Sequence, residues 1–370
     1  MKFTIKRNSF QRLLENAYEA IPVQSPIASL KNFLIEVTDT NICVIASDGT
    51  LTIQAILNVG DEDNAIINSI PGKVQIPAKY LLDIIKNLES NIVTLELVDS
   101  SLLFVSDEIS QFKLNIFRAE EYPDIDIEAT STEKINIKTN DFIKLYNSTS
   151  FAVATRGPKE LFYGVNITAK DNKLTFVATD SFRLARKFVP IDGEHHVSIT
   201  VPCKTLSVVS KFSSYNEVVM LIDTNKVLFK VGNYTISSKL YNGEFPNVDR
   251  IIPDGMEYNL TVNAKEFISS IERITIVGNT KILVNASNEQ VEISSKDLNV
   301  GSSKEVLKGA EFEGNRFSII FNAKFVIDAI KALNAERVTL AFAAENRAFL
   351  VKSTDETITQ VITPIRSLGD

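Results

Sequence analysis

Residues 177–188, VATDSFRLARKF, carry an aspartate, two hydroxyls and three cations within twelve positions. Asp180 stands between Thr179 and Ser181, and Arg183 follows closely. A carboxylate beside hydroxyls and a guanidinium could form a catalytic cluster. Asp also favours hairpin turns, because its carboxylate can accept hydrogen bonds from backbone N–H groups. Two interpretations of this stretch alone remain open. It could be a reactive site, or it could be a turn followed by a solvated basic strand.

The rest of the sequence offers little support for catalytic chemistry. Its only histidines, His195 and His196, are adjacent in a polar stretch that predicts an exposed loop. Histidine metal sites and Ser-His or Cys-His nucleophile pairs are therefore poorly supported. The sequence contains neither glycine-rich phosphate-binding motif, GxxxxGK[ST] or GxGxxG. We expect no metal and no cofactor.

Composition indicates an ordinary globular protein of two or three domains. The 370 residues are 44% hydrophobic and 23% charged. Cys43 and Cys203 lie far apart, which fits a reduced interior and a cytoplasmic location. There is no apolar run long enough for a membrane span, and the start, MKFTIKRNSF, does not resemble a secretory signal. The net charge of −7 argues against a protein that coats nucleic acid with its whole surface, but it permits a local basic stripe.

The chain repeats itself three times. Three similar segments, each a strand pattern followed by a helical period, align Phe10, Phe142 and Phe267, which are 132 and 125 residues apart. A second set aligns Lys79, Lys204 and Lys324, which are 125 and 120 residues apart. The two sets also resemble each other. We therefore predict three domains, each built from two half-units of strand, helix and several strands.

The fold class that follows is α+β with mostly antiparallel sheets, because hairpin signatures fill the segments between six short helices. The predicted domains are 1–128, 129–254 and 255–370, with boundaries after the similar stretches EEYPDIDIE and GEFPNVDRIIP. Within this repeat Asp48 aligns with Asp180, 132 residues later. Both are therefore predicted to be turn residues, and the third copy places Lys296 where the acid should be.

Basic residues recur on the predicted helices. In the second-half helices the lysines are seven residues apart, so each pair shares a helical face. Such lysines could simply solvate amphipathic helices, or they could form a basic surface for a polyanion such as DNA, bound through phosphates without reading bases. The candidate DNA-facing residues are Arg12, Lys79, Lys86, Lys144, Lys204, Lys211, Lys265, Arg273, Lys324 and Lys331.

The chain resembles the bacterial DNA polymerase III beta subunits, the replicative sliding clamps. The resemblance spans the whole chain and rests on the threefold repeat and on the stretches VATDSFRLA, LYNGEFPNVDRIIP and VITPIR. It implies two crescent protomers of three similar domains, closed head to tail into a ring with helices lining the hole. Such a ring encircles duplex DNA without sequence preference and tethers the polymerase, with no chemistry of its own.

The resemblance also implies one peptide-binding pocket per protomer, between the second and third domains. The catalytic subunit of the polymerase, the clamp loader and repair proteins compete for it with short, mostly apolar motifs. Aliphatic side chains would bury the anchors, while Arg183 would bond backbone carbonyls or a carboxyl group. The matching residues are Phe162, Thr179, Ser181, Phe182, Arg183, Leu184, Pro246, Arg250, Ile251, Val361, Ile362, Pro364, Ile365 and Arg366.

Three positions depart from the family pattern. Phe182 stands where a histidine or tyrosine is frequent, and Gln24 stands where a DNA-contacting arginine is frequent. SLGD follows Arg366, whereas members usually end within a few residues of this arginine and sometimes directly at it. For the ring interface, the matching edges are QFKLNIF in the first domain and ITIVGN in the third. Their expected apolar contacts are Phe112, Leu114, Ile276 and Val277.

Two other functions stay open from the residues alone. A metal-dependent enzyme of DNA metabolism would need two or three convergent acids, whereas Asp48 and Asp180 belong to different predicted domains. A small-molecule binding or structural α+β protein would leave the repeated lysines and the pair of Arg183 and Arg366 without a purpose.

Overall fold

The structure is a computed structural model that describes residues 1–61, 66–99, 101–130 and 133–366. Within these ranges it has six α-helices and 26 strands, and every strand pairing is antiparallel. The predicted α+β class is therefore confirmed. The C-terminal SLGD, residues 367–370, lies outside the described residues.

The first repeat contains β1 (Lys2–Lys6), α1 (Arg7–Tyr18), β2 (Asn32–Val37), β3 (Asn41–Ser47), β4 (Leu51–Asn58), β5 (Ile67–Ile70), β6 (Gly72–Pro77), α2 (Ala78–Asn87), β7 (Ile92–Leu97), β8 (Leu102–Ser106) and β9 (Gln111–Asn115). The second contains β10 (Glu133–Lys138), α3 (Thr139–Thr149), β11 (Gly164–Lys170), β12 (Lys173–Thr179), β13 (Arg183–Pro190), β14 (Val197–Pro202), α4 (Cys203–Ser210), β15 (Glu217–Ile222), β16 (Lys226–Val231) and β17 (Tyr234–Lys239).

The third repeat contains β18 (Tyr258–Asn263), α5 (Ala264–Ile274), β19 (Lys281–Ala286), β20 (Val291–Asp297), β21 (Gly301–Val306), β22 (Glu311–Glu313), β23 (Phe317–Asn322), α6 (Ala323–Leu333), β24 (Arg337–Phe342), β25 (Phe349–Lys352) and β26 (Ile358–Ile362). Each repeat thus holds two β-α-β-β-β half-units, as predicted. Only the short strands β5 and β22 stand outside this pattern.

The aligned aromatics are core residues that hold each first-half helix against its sheet. Phe10, Phe142 and Phe267 are all buried. Phe10 meets Phe3 of β1 edge-on with ring centroids 5.6 Å apart, and Phe142 meets Phe176 of β12 in the same way at 5.7 Å. A large ring at this position buries much apolar area under a short helix, which explains why it recurs.

The described chain divides into two compact units. One consists of residues 1–139 and 204–240, and the other of residues 140–203 and 241 onwards. The first unit contains a five-stranded sheet, β5-β1-β7-β8-β9, and an eight-stranded sheet, β10-β15-β16-β17-β4-β3-β2-β6. The second contains a nine-stranded sheet, β14-β11-β12-β13-β26-β25-β24-β18-β22, and a four-stranded sheet, β21-β20-β19-β23. The two larger sheets therefore cross the boundaries between repeats.

Candidate partner-binding site and charged helix faces

Each of the two larger sheets is joined at one strand pair from different repeats. In the first junction, β4 of the first repeat pairs with β17 of the second, with Leu51 opposite Ser238. In the second junction, β13 of the second repeat pairs with β26 of the third, with Arg183 opposite Ile362. The two junctions occupy equivalent places in the repeat, and the predicted peptide-binding residues gather at the second one.

The turn between β12 and β13 is held by Asp180. Its Oδ1 accepts hydrogen bonds from the backbone N–H groups of Phe182 (2.9 Å) and Arg183 (3.0 Å). Thr179 Oγ1 donates to the Arg183 carbonyl at 2.7 Å. Ser181 has φ 78°, a left-handed conformation that is costly for a residue with a Cβ. The prediction that Asp180 is a turn residue is confirmed.

The first junction has the same turn built from different residues. Asp48 Oδ1 accepts from the backbone of Thr50 (2.9 Å) and Leu51 (2.8 Å), and Gly49 takes the left-handed position with φ 88°. Asp48 Oδ2 also pairs with Lys204 Nζ of α4 at 2.6 Å. Burial alone would raise the pKa of Asp48, but the Leu51 amide and the Lys204 ammonium outweigh it and hold that pKa below its ordinary value.

The third repeat also has an acid in this role, contrary to the sequence prediction. Asp297 Oδ1 accepts from the backbone of Asn299 (2.9 Å) and Val300 (3.1 Å) in the turn between β20 and β21. The prediction that Lys296 takes this place was wrong by one residue, because the third-repeat turn differs in length and shifts the alignment. All three repeats therefore use an aspartate to cap this turn, which accounts for Asp48 and Asp180 without catalysis.

Arg183 is a buried charged residue of the second junction. Its side chain is 8% exposed, and its Nε donates to Asp180 Oδ2 at 3.0 Å while an Nη donates to Asp328 Oδ2 of α6 at 2.7 Å. The guanidinium also stacks over the rings of Phe151 (5.4 Å) and Phe325 (4.6 Å). These contacts tie the Phe182 turn to α6, so in this structure Arg183 positions the turn.

An apolar cluster lies on the opposite face of β13. Leu184 and Val361 are directly paired across the junction and are both buried. They pack with Val177 and Val248 and with partly exposed side chains of the stretch between β17 and β18, such as Phe245. The rings of Phe245 and buried Phe162 meet edge-on at 5.9 Å. Six predicted pocket residues thus have buried side chains: Phe162, Thr179, Arg183, Leu184, Val361 and Ile362.

The rim around this cluster is exposed. Phe182 is 61% exposed and Ile251 is 48% exposed, so two large apolar side chains face solvent. Ser181, Pro246, Arg250 and Arg366 are also exposed, and Pro364 and Ile365 are partly so. A cavity of about 540 Å³ adjoins Pro246 on the side of Asn247 and Asp249. Asp249 accepts a hydrogen bond from Arg186 of β13 at 2.7 Å, which fixes this stretch to the sheet.

Sequence reasoning missed two residues that hold this site together. Thr363 donates from both its backbone N–H and its Oγ1 to the Phe182 carbonyl, each at 2.9 Å. Thr363 lies inside the VITPIR stretch, so its position was a usable signal. Asp328 is 145 residues from Arg183 and carries no local signal, since an aspartate in the middle of a helix usually faces water.

Most of the predicted DNA-facing cations are paired with acids, which lie on helices, in a turn or on a strand. The pairs are Lys86–Glu15, Lys144–Asp141, Lys204–Asp48, Lys211–Glu19, Arg273–Glu305, Lys324–Asp328 and Lys331–Glu272. The other three, Arg12, Lys79 and Lys265, make no ion pair with any residue that the structure describes.

The pairing repeats between the first and third repeats. Lys86 of α2 reaches Glu15 of α1 at 3.2 Å, and at equivalent positions Lys331 of α6 reaches Glu272 of α5 at 3.8 Å. These side chains are all more than two-fifths exposed, so each pair is weak and exchangeable. The helix faces are therefore charge-compensated rather than plainly basic, which refines the sequence prediction.

The sheet edges near the two predicted interface segments expose apolar side chains. β9, within the predicted QFKLNIF segment, pairs only with β8 among the described residues, and its Phe112 is 40% exposed. The segment ITIVGN, which the resemblance matched to a third-repeat edge, is not itself a strand, because residues 275–279 follow the end of α5. It flanks β21, one of the two edges of the four-stranded sheet, and is fixed there by Ser303 Oγ donating to the Ile274 carbonyl at 2.5 Å. Ile276, 78% exposed, flanks that edge together with Val277.

The described residues give little indication of other kinds of site. No group of three or more His, Cys, Asp or Glu side chains is arranged to hold a metal ion within them. Among their helices, none has the length and apolar character that crossing a membrane requires. Both statements concern only residues 1–61, 66–99, 101–130 and 133–366.

Comparison with known proteins identifies relatives along the whole chain. The family profiles of the DNA polymerase III beta subunit match residues 1–126 (N-terminal domain), 136–247 (central domain) and 249–366 (C-terminal domain). The beta sliding clamp of Staphylococcus epidermidis is 30% identical, with 99% of this chain and 100% of that protein covered. That of Staphylococcus aureus is also 30% identical with the same coverage.

Solved structures agree with this relationship. The DNA polymerase III beta chain of Streptococcus pneumoniae superposes with a TM-score of 0.95 at 25% identity, covering 99% of this chain and 100% of that one. The DNA polymerase sliding clamp of Bacillus subtilis superposes with a TM-score of 0.92 at 29% identity, covering 99% of both chains.

Proposed function

This chain belongs to the DNA polymerase III beta subunits, the bacterial sliding clamps, and we propose that it closes as a homodimer into a ring around duplex DNA. It is a processivity subunit that carries out no chemistry. In the proposed ring it holds the replicative polymerase at the DNA, in the cytoplasm, without reading sequence. The observation that carries the proposal is the family relationship along the whole chain, together with the apolar side chains exposed at the sheet edges formed by β9 and β21.

The three domains of the proposal are 1–128, 129–254 and 255–370. The six β-α-β-β-β half-units support this division, since two half-units fall in each domain. The sheets that join β4 to β17 and β13 to β26 then serve as continuous connections between neighbouring domains. Backbone ladders of this kind resist separation, because each lost hydrogen bond leaves polar groups to be satisfied elsewhere.

The proposed DNA contacts are made by the cations of the six helices. Seven of the ten are already paired with acids, so a phosphate must compete for them, as the Lys86–Glu15 pair illustrates. Each contact is then weak and screened by salt, which suits a ring that has to slide. Strong, uncompensated contacts would slow movement along the duplex.

Retention on DNA of different topology tests the ring. The purified protein is loaded on nicked circular DNA, and the fraction that stays bound through gel filtration is measured before and after the circle is linearised. A closed ring is retained on the circle and lost from the linear form. Equal retention on both forms would rule out topological linkage.

We propose that dimerisation joins β9 of one protomer to β21 of the next, supported by Phe112, Leu114, Ile276 and Val277. Both strands are sheet edges with exposed apolar side chains, which pairing would cover. The substitution Ile276→Asp should convert a dimer to a monomer, as measured by light scattering. Leu298→Asp is a control, because Leu298 is exposed but lies in the turn between β20 and β21. A wild-type protein that is monomeric at micromolar concentration would contradict the proposal.

We propose that the second junction binds short apolar peptides of the polymerase, the clamp loader and repair proteins. Leu184, Val361, Phe182 and Ile251 supply the apolar surface, while Arg183 keeps the turn in place. Leu184→Lys should abolish binding of a fluorescent clamp-motif peptide from the polymerase, with the dimer mass unchanged. Unchanged affinity in this variant would show that the site lies elsewhere. Lys352→Ala, on an exposed position of nearby β25, is the matched control.

A further inference from the structure

The carboxylate of Asp328 connects the partner-binding junction to the charged face of α6. Its Oδ2 accepts hydrogen bonds from two cations at once, an Nη of Arg183 at 2.7 Å and Lys324 Nζ at 2.9 Å. Arg183 belongs to the enclosed turn of the second junction. Lys324, 69% exposed, is one of the proposed phosphate contacts. One oxygen atom is therefore shared between the two proposed functional surfaces.

The first junction has no such connection. By the repeat, Leu51 and Val208 stand where Arg183 and Asp328 stand, and both are buried and apolar. There Lys204, the equivalent of Lys324, pairs directly with the turn residue Asp48 at 2.6 Å. At the second junction a buried cation, Arg183, and a helix carboxylate, Asp328, therefore lie between Lys324 and the turn. A buried ion pair seldom adds stability over apolar residues, so a role other than stability is worth seeking.

We propose that Asp328 couples DNA contact to partner binding, acting as a positioning residue that is shared between Lys324 and Arg183. The proposal rests on the function proposed above. When a phosphate draws Lys324 away, Asp328 interacts with Arg183 alone and that hydrogen bond strengthens. Arg183 then fixes the turn more firmly, and with it Phe182, whose carbonyl is held by Thr363. A more ordered rim loses less conformational entropy when a peptide binds.

The expected coupling is small and reciprocal. Lys324 is largely exposed, so its pair with Asp328 is of the weak surface class. DNA should therefore raise the peptide affinity by a factor of about two to five, and bound peptide should raise DNA affinity by the same factor. Weak coupling of this kind biases a clamp on DNA toward holding its partners and a free clamp toward releasing them.

The test measures the affinity of the full-length protein for the fluorescent clamp-motif peptide, with and without a saturating short duplex. Lys324→Gln should bind the peptide about two- to fivefold more tightly than wild type without DNA, and should show no further gain with DNA. Lys331→Gln removes one cation from the same helix but lies outside the shared carboxylate, because it pairs with Glu272. This control should keep the wild-type response to DNA.

Asp328→Asn should weaken peptide binding several-fold and abolish the response to DNA, and Asp328→Glu should restore part of both. A variant that merely loosened the fold would lower the melting temperature without removing the DNA response selectively. The inference is overturned if Lys324→Gln and Lys331→Gln respond to DNA alike, or if Asp328→Asn keeps the wild-type response. If wild type fails to bind the peptide, or Leu184→Lys binds it normally, it is the proposed pocket that fails instead.

Discussion

The two junctions between repeats have the same backbone arrangement and different side-chain chemistry. In the first, Thr52 and Ser237 lie opposite each other across the strands, and Ser47 shares a hydrogen bond of 2.8 Å with Thr52. In the second, Leu184 and Val361 occupy those equivalent positions and join an apolar cluster. Repetition therefore preserves the pairing of strands, while a few side chains decide which junction offers an apolar surface.

Helix residues at the two junctions show the same difference, with hydroxyl groups at the first junction and large apolar side chains at the second. Thr205 of α4 hydrogen-bonds Ser238 at 2.7 Å in the first junction. At the equivalent places the second junction has Phe325, stacked on Arg183, and Ile362. The first junction is thus closed by hydroxyl groups that satisfy one another. The second carries exposed Phe182 next to a buried charge, an arrangement that suits binding better than stability.

The largest expected effect comes from converting the second junction toward the first. Arg183→Leu should destabilise the protein by about 3–5 kcal/mol, because Asp328 and Asp180 lose their buried partner. Asp328→Val should cost a similar amount by leaving the guanidinium half-paired.

The double variant Arg183→Leu/Asp328→Val should recover about 2 kcal/mol or more of the summed loss. Hydrogen exchange of the amides around β13 and β26 measures each step of this cycle locally, which avoids assuming that the whole chain unfolds at once. Simple addition of the two single effects would mean that the charged pair is not a coupled unit.

The next largest effect concerns the apolar surface itself. Leu184→Thr and Val361→Ser, which install the first-junction residues, should each weaken binding of the clamp-motif peptide by about tenfold through lost apolar contact. Fluorescence anisotropy with the labelled peptide gives the affinities. Thr52→Val in the first junction should leave them unchanged. If Thr52→Val reduced the peptide affinity as much as Leu184→Thr or Val361→Ser, peptide binding would not discriminate between the two junctions.

A smaller effect is expected from Lys204→Gln, which removes the ion pair of the first junction. The folded-state pKa of Asp48 lies below its ordinary value of 3.8, so its contribution to stability is present above that pH and is lost as pH falls through the folded value. Without Lys204 that pKa should rise, moving the acid loss of stability to higher pH.

Above pH 5 the same substitution should cost about 0.5–1 kcal/mol, since Lys204 is more than half exposed. Melting temperatures measured between pH 3 and 6 would show this shift of the acid transition to higher pH. The matched variant Lys324→Gln keeps the pair of Lys204 with Asp48 and should not move the acid transition in this way. A shift of equal size in both would contradict the assignment to Asp48.

The smallest effect concerns the left-handed turn residues. Ser181→Gly should stabilise the folded state by a few tenths of a kcal/mol, because relief of the strained φ of 78° slightly exceeds the extra freedom of glycine in the unfolded chain. Gly49→Ser should do the reverse at φ 88°. Chemical denaturation measures the free energy of unfolding of both variants, and we expect the two changes to have opposite signs. A destabilised Ser181→Gly would mean that the serine makes a contact worth more than its strain.

Prediction from sequence succeeded where local patterns repeat. The half-units, the buried Phe10 and the turn role of Asp180 were all predictable, because each depends on residues within one helix or hairpin. The segment ITIVGN, which the resemblance matched to a third-repeat edge, is not part of a strand. Its branched apolar residues suit a strand, but they follow α5 directly and flank β21 instead.

The sequence by itself determined the repeated β-α-β-β-β unit, the turns capped by Asp48 and Asp180, and the family, since periodicity and turn chemistry are local properties. Tertiary structure alone decided that β13 joins β26, that Asp328 meets Arg183, and that most helix cations already have acidic partners. These contacts join residues that lie up to about 180 positions apart along the chain. Strand pairing and charge pairing depend on how close the residues lie in space, and a local sequence pattern does not encode that distance.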